Sequence, residues 1–241
     1  GYEVFRIHLD HFPRNYEVNL SHHQESSIEI THLSSQQKLD LSSVGAVWLR
    51  KAAPFAFLSE DLSAQEYAFA KAETDHILNS IIYSLQNVFW LSHPLALRSS
   101  QWKGEQLQRA RQMGFLTPNT IISNRPNEIR QFKKTFKGDL LFKAMSSPSL
   151  SAREVAPSEV EIGSLPATRI SHTDFCNGVW DEELESIKEL PGLFQEYIEK
   201  AYELRVTIIG QQCYAARILS QEDSRTATDY RDFSVDIPYQ Y

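Results

Sequence analysis

Apolar and polar residues alternate from the first positions of the chain. Gly1-Tyr2-Glu3-Val4-Phe5-Arg6-Ile7 has the period of two that a half-buried strand shows, and a strand is expected from Val4 to Leu9. Ser27 to His32 repeats the pattern, and Ala46-Val47-Trp48-Leu49-Arg50 predicts a third strand lying inside a sheet. The period then lengthens. From Ser63, with Glu66 placed as in a capping box, to about Asn87, the residues Leu78, Ile81, Ile82 and Leu85 form one stripe of a long helix. Pro94 and Arg98-Ser99-Ser100 mark a linker, which sets a domain boundary near residue 95 and predicts domains of 1–95 and 96–241.

Past the linker, Lys103 to Met113 predicts a short helix ended by Gly114, followed by a strand at Thr120 to Ser123 and a helix from about Asn127 to Phe136. Further strands are expected at Asp139 to Lys143 and Leu193 to Ile198, separated by the Ser/Pro-rich stretch Ser146 to Ser151 and an acidic helix from Asp181 to Glu189. Glu203 to Ile209 and Cys213 to Leu219 flank Gly210-Gln211-Gln212 as a hairpin. Arg217 stands in the second hairpin strand where a small or apolar residue is expected. The fold class is α+β, without internal repeats.

Composition narrows the function. The 241 residues carry 24 Lys+Arg against 31 Asp+Glu, a net charge of −7 that argues against wrapping nucleic acid. No apolar run approaches the roughly 18 residues of a membrane span. Cys176 and Cys213 have neither disulfide nor metal-ligand spacing, and Cys176 has no evident catalytic partner, so a reducing cytoplasm is expected. The start in mid-alternation without Met, and the end at Asp236-Ile237-Pro238-Tyr239-Gln240-Tyr241 without a closing element, read as a piece of a longer protein.

Walker A, GxGxxG, GxSxG and HExxH motifs are absent. His22-His23, with His8, His11 and His32, lie in a polar, turn-like stretch that suits a solvated loop better than a metal site. What remains is charge on strands and helix starts. Lys103 opens a helix, Lys143 ends an apolar strand, and Glu203 and Arg205 share a strand face from which Leu204 and Val206 point away. Spacing leaves two readings open: a solvated sheet face, or cations converging on polyphosphate with a carboxylate placed for a ribose.

The run from Leu193 to Gly210, containing Phe194-Gln195-Glu196-Tyr197-Ile198 and Glu203-Leu204-Arg205-Val206-Thr207, resembles the ATP-grasp ligases. With the later Ala215-Ala216-Arg217-Ile218-Leu219-Ser220-Gln221, it resembles more narrowly the graspetide maturases of microviridin type, which cross-link ribosomal peptides. Val47-Trp48-Leu49-Arg50-Lys51, Trp90-Leu91-Ser92-His93-Pro94 and Gly114-Phe115-Leu116-Thr117-Pro118-Asn119-Thr120 support the likeness, which covers nearly the whole chain.

The resemblance implies an ATP-grasp fold, with an amino-terminal α/β pre-grasp domain followed by a central and nucleotide-clamping region. Lys103 and Lys143 would meet the ATP phosphates, and Gln195, Glu196, Tyr197 and Ile198 would form the hinge that holds adenine. Glu203 would bind the ribose, Arg205 would face the phosphates, and Arg231 would approach the transferred phosphoryl group and the substrate carboxylate. Magnesium is implied as well, but the family's metal-holding residues lie in a segment beyond Tyr241, so no metal ligand is expected here. The implied reaction activates Asp or Glu side chains of a ribosomally made precursor peptide and joins them to Thr, Ser or Lys. Its leader would be bound near the Gly210 hairpin. A glutamate-adding or glutathione-type ligase, and a peptide-binding module without catalysis, remain as alternatives. A homodimer through the helix from Ser63 is weighed evenly against that helix packing on its own sheet.

Overall fold

The computed structural model describes residues 3–23, 26–49, 54–146, 167–230 and 236–241. The chain divides into two units, Gly1–Ser99 and Ser100–Tyr241.

In the first unit β1 (Tyr16–His22), β2 (Ser26–His32) and β3 (Gln37–Asp40) form an antiparallel meander in that order. Its register sets Val18 against Ile30 and Leu20 against Ile28. These cross-strand apolar pairs build one face, and Phe12, Tyr16 and Leu41 complete the core. Helix α1 (Ala64–Ser84) adds Ile81 to that core, with Leu78 and Leu85 packed against it. The helix begins as its sequence dictates: Glu66 N–H donates to Ser63 Oγ at 3.3 Å, and Ser63 N–H donates to Glu66 Oε2 at 2.9 Å. These reciprocal bonds satisfy donors that the first turn leaves unpaired.

Three expectations for this unit change. Val4 to Leu9 is not a strand: Phe5, Ile7 and Leu9 pack on the core, and His8 N–H donates to the Tyr16 hydroxyl at 2.9 Å. Packing satisfies the alternation without any ladder. Strand β4 (Ala46–Trp48) pairs in parallel with β5 (Phe89–Leu91) and, among the described residues, with no other strand, so it does not lie inside a larger sheet. Where a linker is expected, Pro94–Ser99 forms the short helix α2, opened by the proline that a first helical position tolerates.

The second unit opens with α3 (Lys103–Gln112). Gly114, at φ +84°, reverses the chain so that its N–H donates to Arg111 O at 3.0 Å and Phe115 N–H donates to Ala110 O at 2.9 Å. These two bonds are the Schellman closure, for which glycine's freedom at positive φ is required. Then come β6 (Thr120–Ser123), α4 (Pro126–Lys133), β7 (Leu140–Lys143), β8 (Thr168–Ile170), α5 (His172–Cys176), α6 (Asp181–Ser186) and β9 (Gly192–Glu196). The four strands make an antiparallel sheet in the order β6-β9-β7-β8. Ile129, Leu140, Ile170, Leu184 and Phe194 form its core, contributed by α4, β7, β8, α6 and β9. The short elements β8 and α5 were not evident from hydropathy, since three residues and five residues hold too little period to read.

At the end of α4, Lys133 is 3% exposed, and its ammonium donates to Phe136 O at 3.3 Å and meets His172 Nδ1 at 2.7 Å. It also lies 4.8 Å from the Phe136 ring centroid, a third contact that offsets the cost of burying the group. Strands β10 (Glu203–Ile209) and β11 (Gln212–Ile218) form the expected hairpin, with β12 (Tyr239–Gln240) beside β11. Ile209 pairs with Gln212, so the loop is Gly210-Gln211 alone, with Gly210 at φ +61° as a type II′ turn demands. The unexpected Arg217 lays its guanidinium 4.2 Å from the Tyr202 ring centroid, which explains a cation at that position. No helix among the described residues is long and apolar enough to cross a membrane.

Ile129→Ala, at a fully buried position, is expected to destabilise the second unit by roughly 2–5 kcal/mol. Leu190→Ala, at a position 75% exposed, should stay within about 0.5 kcal/mol of the parent. Denaturant midpoints measured for both variants check the pair.

Candidate functional site

Strand alternation sorts the second unit's sheet into two faces. Leu140 and Phe194 turn toward the helices in the core, with Phe142 packed on them. Leu141, Lys143 and Gln195 turn the other way and line a cavity of about 360 Å³, a size suited to a small ligand. The register that pairs Leu141 with Gln195 brings the strand ends together there. Residues 196–198 continue the wall, and Lys200, Glu203 and residues 228–230 stand around it.

The cation at the cavity is oriented by a chain of neutral groups. Thr120 Oγ1–H donates to Pro118 O at 2.9 Å, leaving its oxygen to accept from Gln195 Nε2 at 2.9 Å. The amide of Gln195 must therefore turn Oε1 toward Lys143, whose Nζ donates to it at 2.9 Å. Gln195 is buried and both ends of its amide are engaged. Lys103, at the start of α3, donates to the carbonyl of Ala144, the residue next to Lys143. Two lysines thus approach one stretch of chain, although Lys103 does not itself line the cavity.

The hinge after β9 is held by its backbone. Glu196 N–H donates to Asn119 O at 2.9 Å, and Asn119 Nδ2 returns a bond to Glu196 Oε2 at 2.8 Å. Tyr197 N–H donates to Asp139 O at 2.9 Å. The Ile198 amide makes no backbone hydrogen bond among the described residues. Arg169 packs its guanidinium 4.0 Å from the Tyr197 ring centroid while pairing with Asp139 at 2.7 Å and Glu199 at 2.9 Å. Burial works against the Asp139 charge, but the His172 amide and the Arg169 guanidinium outweigh it and hold the carboxyl below its ordinary range. The ring of Tyr197 is thereby fixed from behind.

Opposite the hinge, Glu203 forms an ion pair with Lys200, which also donates to Thr228 O at 3.0 Å. The expected site residues Lys143, Gln195, Glu196, Tyr197, Ile198 and Glu203 are therefore brought around one cavity. Arg205 is not: it is exposed, two positions along β10 from Glu203, and does not line the cavity. Arg231 lies outside the described residues. Sequence reasoning missed Lys200, Asn119 and Thr120 as structural supports, although each stands inside a quoted run. The signal was their position three residues before Glu203, or directly opposite β9, which only the sheet register reveals.

The lining combines Lys143 and Lys200, the acidic residues Glu196, Glu203 and Asp229, and the apolar Leu141, Ile198 and Pro118. That set suits a ligand with a flat apolar ring, a hydroxylated middle and an anionic tail. Among the described residues no group of three or more His, Cys, Asp or Glu side chains could hold a metal ion.

Residues 1–98 match the sequence profile of the MvdD pre-ATP grasp domain. No curated protein matches the chain significantly. Among solved structures, the macrocyclase MdnC of Microcystis aeruginosa MRC, bound with precursor peptide MdnA, is 30% identical with a TM-score of 0.78, over 98% of this chain and 69% of that one. A Chryseobacterium gregarium RiPP-associated ATP-grasp ligase, in complex with ADP and a leader and core peptide, is 26% identical with a TM-score of 0.79, over 95% and 65%. The macrocyclase MdnB of Microcystis aeruginosa MRC is 25% identical with a TM-score of 0.71, over 90% and 66%. The chain thus spans 65% to 69% of the length of these proteins. With a solved macrocyclase 30% identical over nearly all of it, this chain belongs to the graspetide-type ATP-grasp ligases.

Proposed function

We propose that this chain is the nucleotide-holding part of a ligase that uses ATP to close rings in a ribosomally made precursor peptide. Residues 1–95 then act as the pre-grasp domain and 96–241 as the central and clamping region. The observation that carries the reading is the convergence of Lys143, the 196–198 hinge and Glu203 on one cavity. Adenine lies against Leu141 and Ile198, and the Ile198 N–H reads a ring nitrogen. The Gln195 side chain has another task, which is holding Lys143 in place. Glu203 accepts from the ribose, and Lys143 and Lys103 screen the phosphates. Arg205 and Arg231 take the phosphoryl-facing roles only on the strength of the family likeness.

The chemistry explains the need for cations. A side-chain carboxylate of Asp or Glu is a poor electrophile and is repelled by ATP. Screening lets its oxygen bond to the γ-phosphorus as the bond to the β-phosphate oxygen breaks, giving an acyl phosphate and ADP. A Thr or Ser hydroxyl, or a Lys amine, then attacks the acyl carbon. Phosphate leaves and the nucleophile's proton is lost, giving an ester or an amide.

The peptide has a separate place to bind. Leu204, Val206 and Ile208 point to one side of β10 and are 59%, 48% and 71% exposed. Ala215 and Cys213 pair with Val206 and Ile208, so this is a continuous strand face suited to an extended apolar leader.

Lys143→Ala is expected to weaken ATP binding by about tenfold or more, since a charge-assisted contact is lost. Calorimetry on the full chain checks this, and equal affinity removes Lys143 from the site. Ile208→Ser should leave ATP affinity unchanged while raising the precursor concentration needed for half-maximal rate by about tenfold. If core peptide without leader reacts as fast as whole precursor, and Ile208→Ser has no effect, the leader does not bind there.

A further inference from the structure

Ser220 and Gln221 lie outside the cavity lining. Both residues lie just beyond β11, and Ser220 is 0% exposed. Ser220 Oγ–H donates to Glu203 Oε1 at 3.1 Å, the same oxygen that receives Lys200. Gln221 Nε2 donates to Ala227 O at 3.0 Å and to Ser220 Oγ at 3.2 Å. The direction of this chain follows from chemistry. A backbone carbonyl only accepts, so the Gln221 amide must turn its nitrogen inward. Its second N–H enters the Ser220 oxygen, and the single proton of Ser220 is directed to Glu203.

Two donors thus converge on Oε1, and Oε2 makes no hydrogen bond among the described residues. The backbone behind the relay is fixed as well. Thr226, also 0% exposed, shares its one hydroxyl proton between Ser220 O at 2.8 Å and Asp223 O at 3.0 Å.

We propose that Ser220 is a positioning residue, with Gln221 as the donor behind it, that locks the Glu203 carboxylate so that one oxygen alone faces the ligand hydroxyl. This rests on reading the cavity as a nucleotide site, and it deepens that reading. A carboxylate free to rotate presents either oxygen and loses part of its binding energy in being ordered. A carboxylate fixed at Oε1 meets a ribose diol already aligned, which sharpens discrimination between a ribose and its deoxy forms.

The test measures dissociation constants of ATP, 2′-deoxy-ATP and 3′-deoxy-ATP by calorimetry on the full chain. The parent is expected to disfavour at least one deoxy nucleotide by about tenfold, and Glu203→Gln should lose most of that ratio. Ser220→Ala should weaken ATP by about five- to tenfold while leaving the deoxy nucleotide within about twofold, so that the ratio collapses toward one. Gln221→Leu, at an exposed position that leaves the Ser220 hydroxyl in place, should lower the ratio partway and keep the parent melting temperature. Ser220→Ala weakening all three nucleotides equally would show a structural role only and overturn the proposal. If Glu203→Gln erases discrimination while Ser220→Ala and Gln221→Leu retain it, the relay is wrong and the nucleotide reading stands. If the parent binds no ATP or shows no discrimination, the nucleotide or ribose reading fails, and the proposal falls with it.

Discussion

Because β7 and β9 pair with Leu141 opposite Gln195, the sheet of the second unit settles which side chains share a face before any ligand is considered. A slip of β7 by one residue would turn Leu140 toward the cavity and carry Lys143 into the core. That exchange would cost several buried apolar contacts and leave a cation among them, so the register is strongly specified. The apolar set Ile129, Leu140, Ile170, Leu184 and Phe194 therefore does two things at once. It stabilises the unit, and it forces the polar residues of the same strands onto the opposite side, where the cavity forms.

The two lysines of the cavity are treated differently. Lys143 donates to the amide oxygen of Gln195, which orients the ammonium. Lys200 meets the Glu203 carboxylate, and the two charges offset each other across a pair that is 23% exposed on each side. At that exposure water still screens the attraction, so the pair is better understood as a geometric restraint than as a source of stability. On the proposed reading, Lys143 serves the phosphates and Lys200 serves a carboxylate that meets ribose hydroxyls.

The elements legible in the sequence are those whose signal is local. The capping box at Ser63 and Glu66, the Gly114 closure and the stripe through Ile81 all act within a few residues, and the structure forms each as its sequence indicates. The alternation of Val4 to Leu9 misled because hydropathy reports which residues are sheltered, not whether a partner strand stands alongside. The short β8 and β12 depend on partners far away in sequence, so no local pattern announces them. At the site, residue types and strand faces were legible, whereas the supports were not. Thr120 sits 75 positions from the Gln195 amide it orients, and Asn119 sits 77 from Glu196. Arg205 shows the limit of face reasoning: it shares the strand period with Glu203, yet one residue lines the cavity and the other does not.

Strand β10 joins two surfaces through its period alone. Glu203, at its start, faces the cavity, while Leu204, Val206 and Ile208 present an exposed apolar edge on the other side. From Glu203 to Ile208 the strand rises about 17 Å at roughly 3.3 Å per residue. A flexible peptide of about ten residues has an r.m.s. span near 18 Å, so on the proposed reading a core attached to a leader on that face would reach the cavity without strain. Its reacting side chains would then be held at an effective concentration of about millimolar while the leader stayed in place. Several carboxylates of one core can be presented in turn without the peptide leaving. Such an arrangement needs no recognition of each core residue by the cavity itself. On that reading the demand on the cavity would be narrower: to hold the nucleotide in one orientation and screen whichever carboxylate arrives.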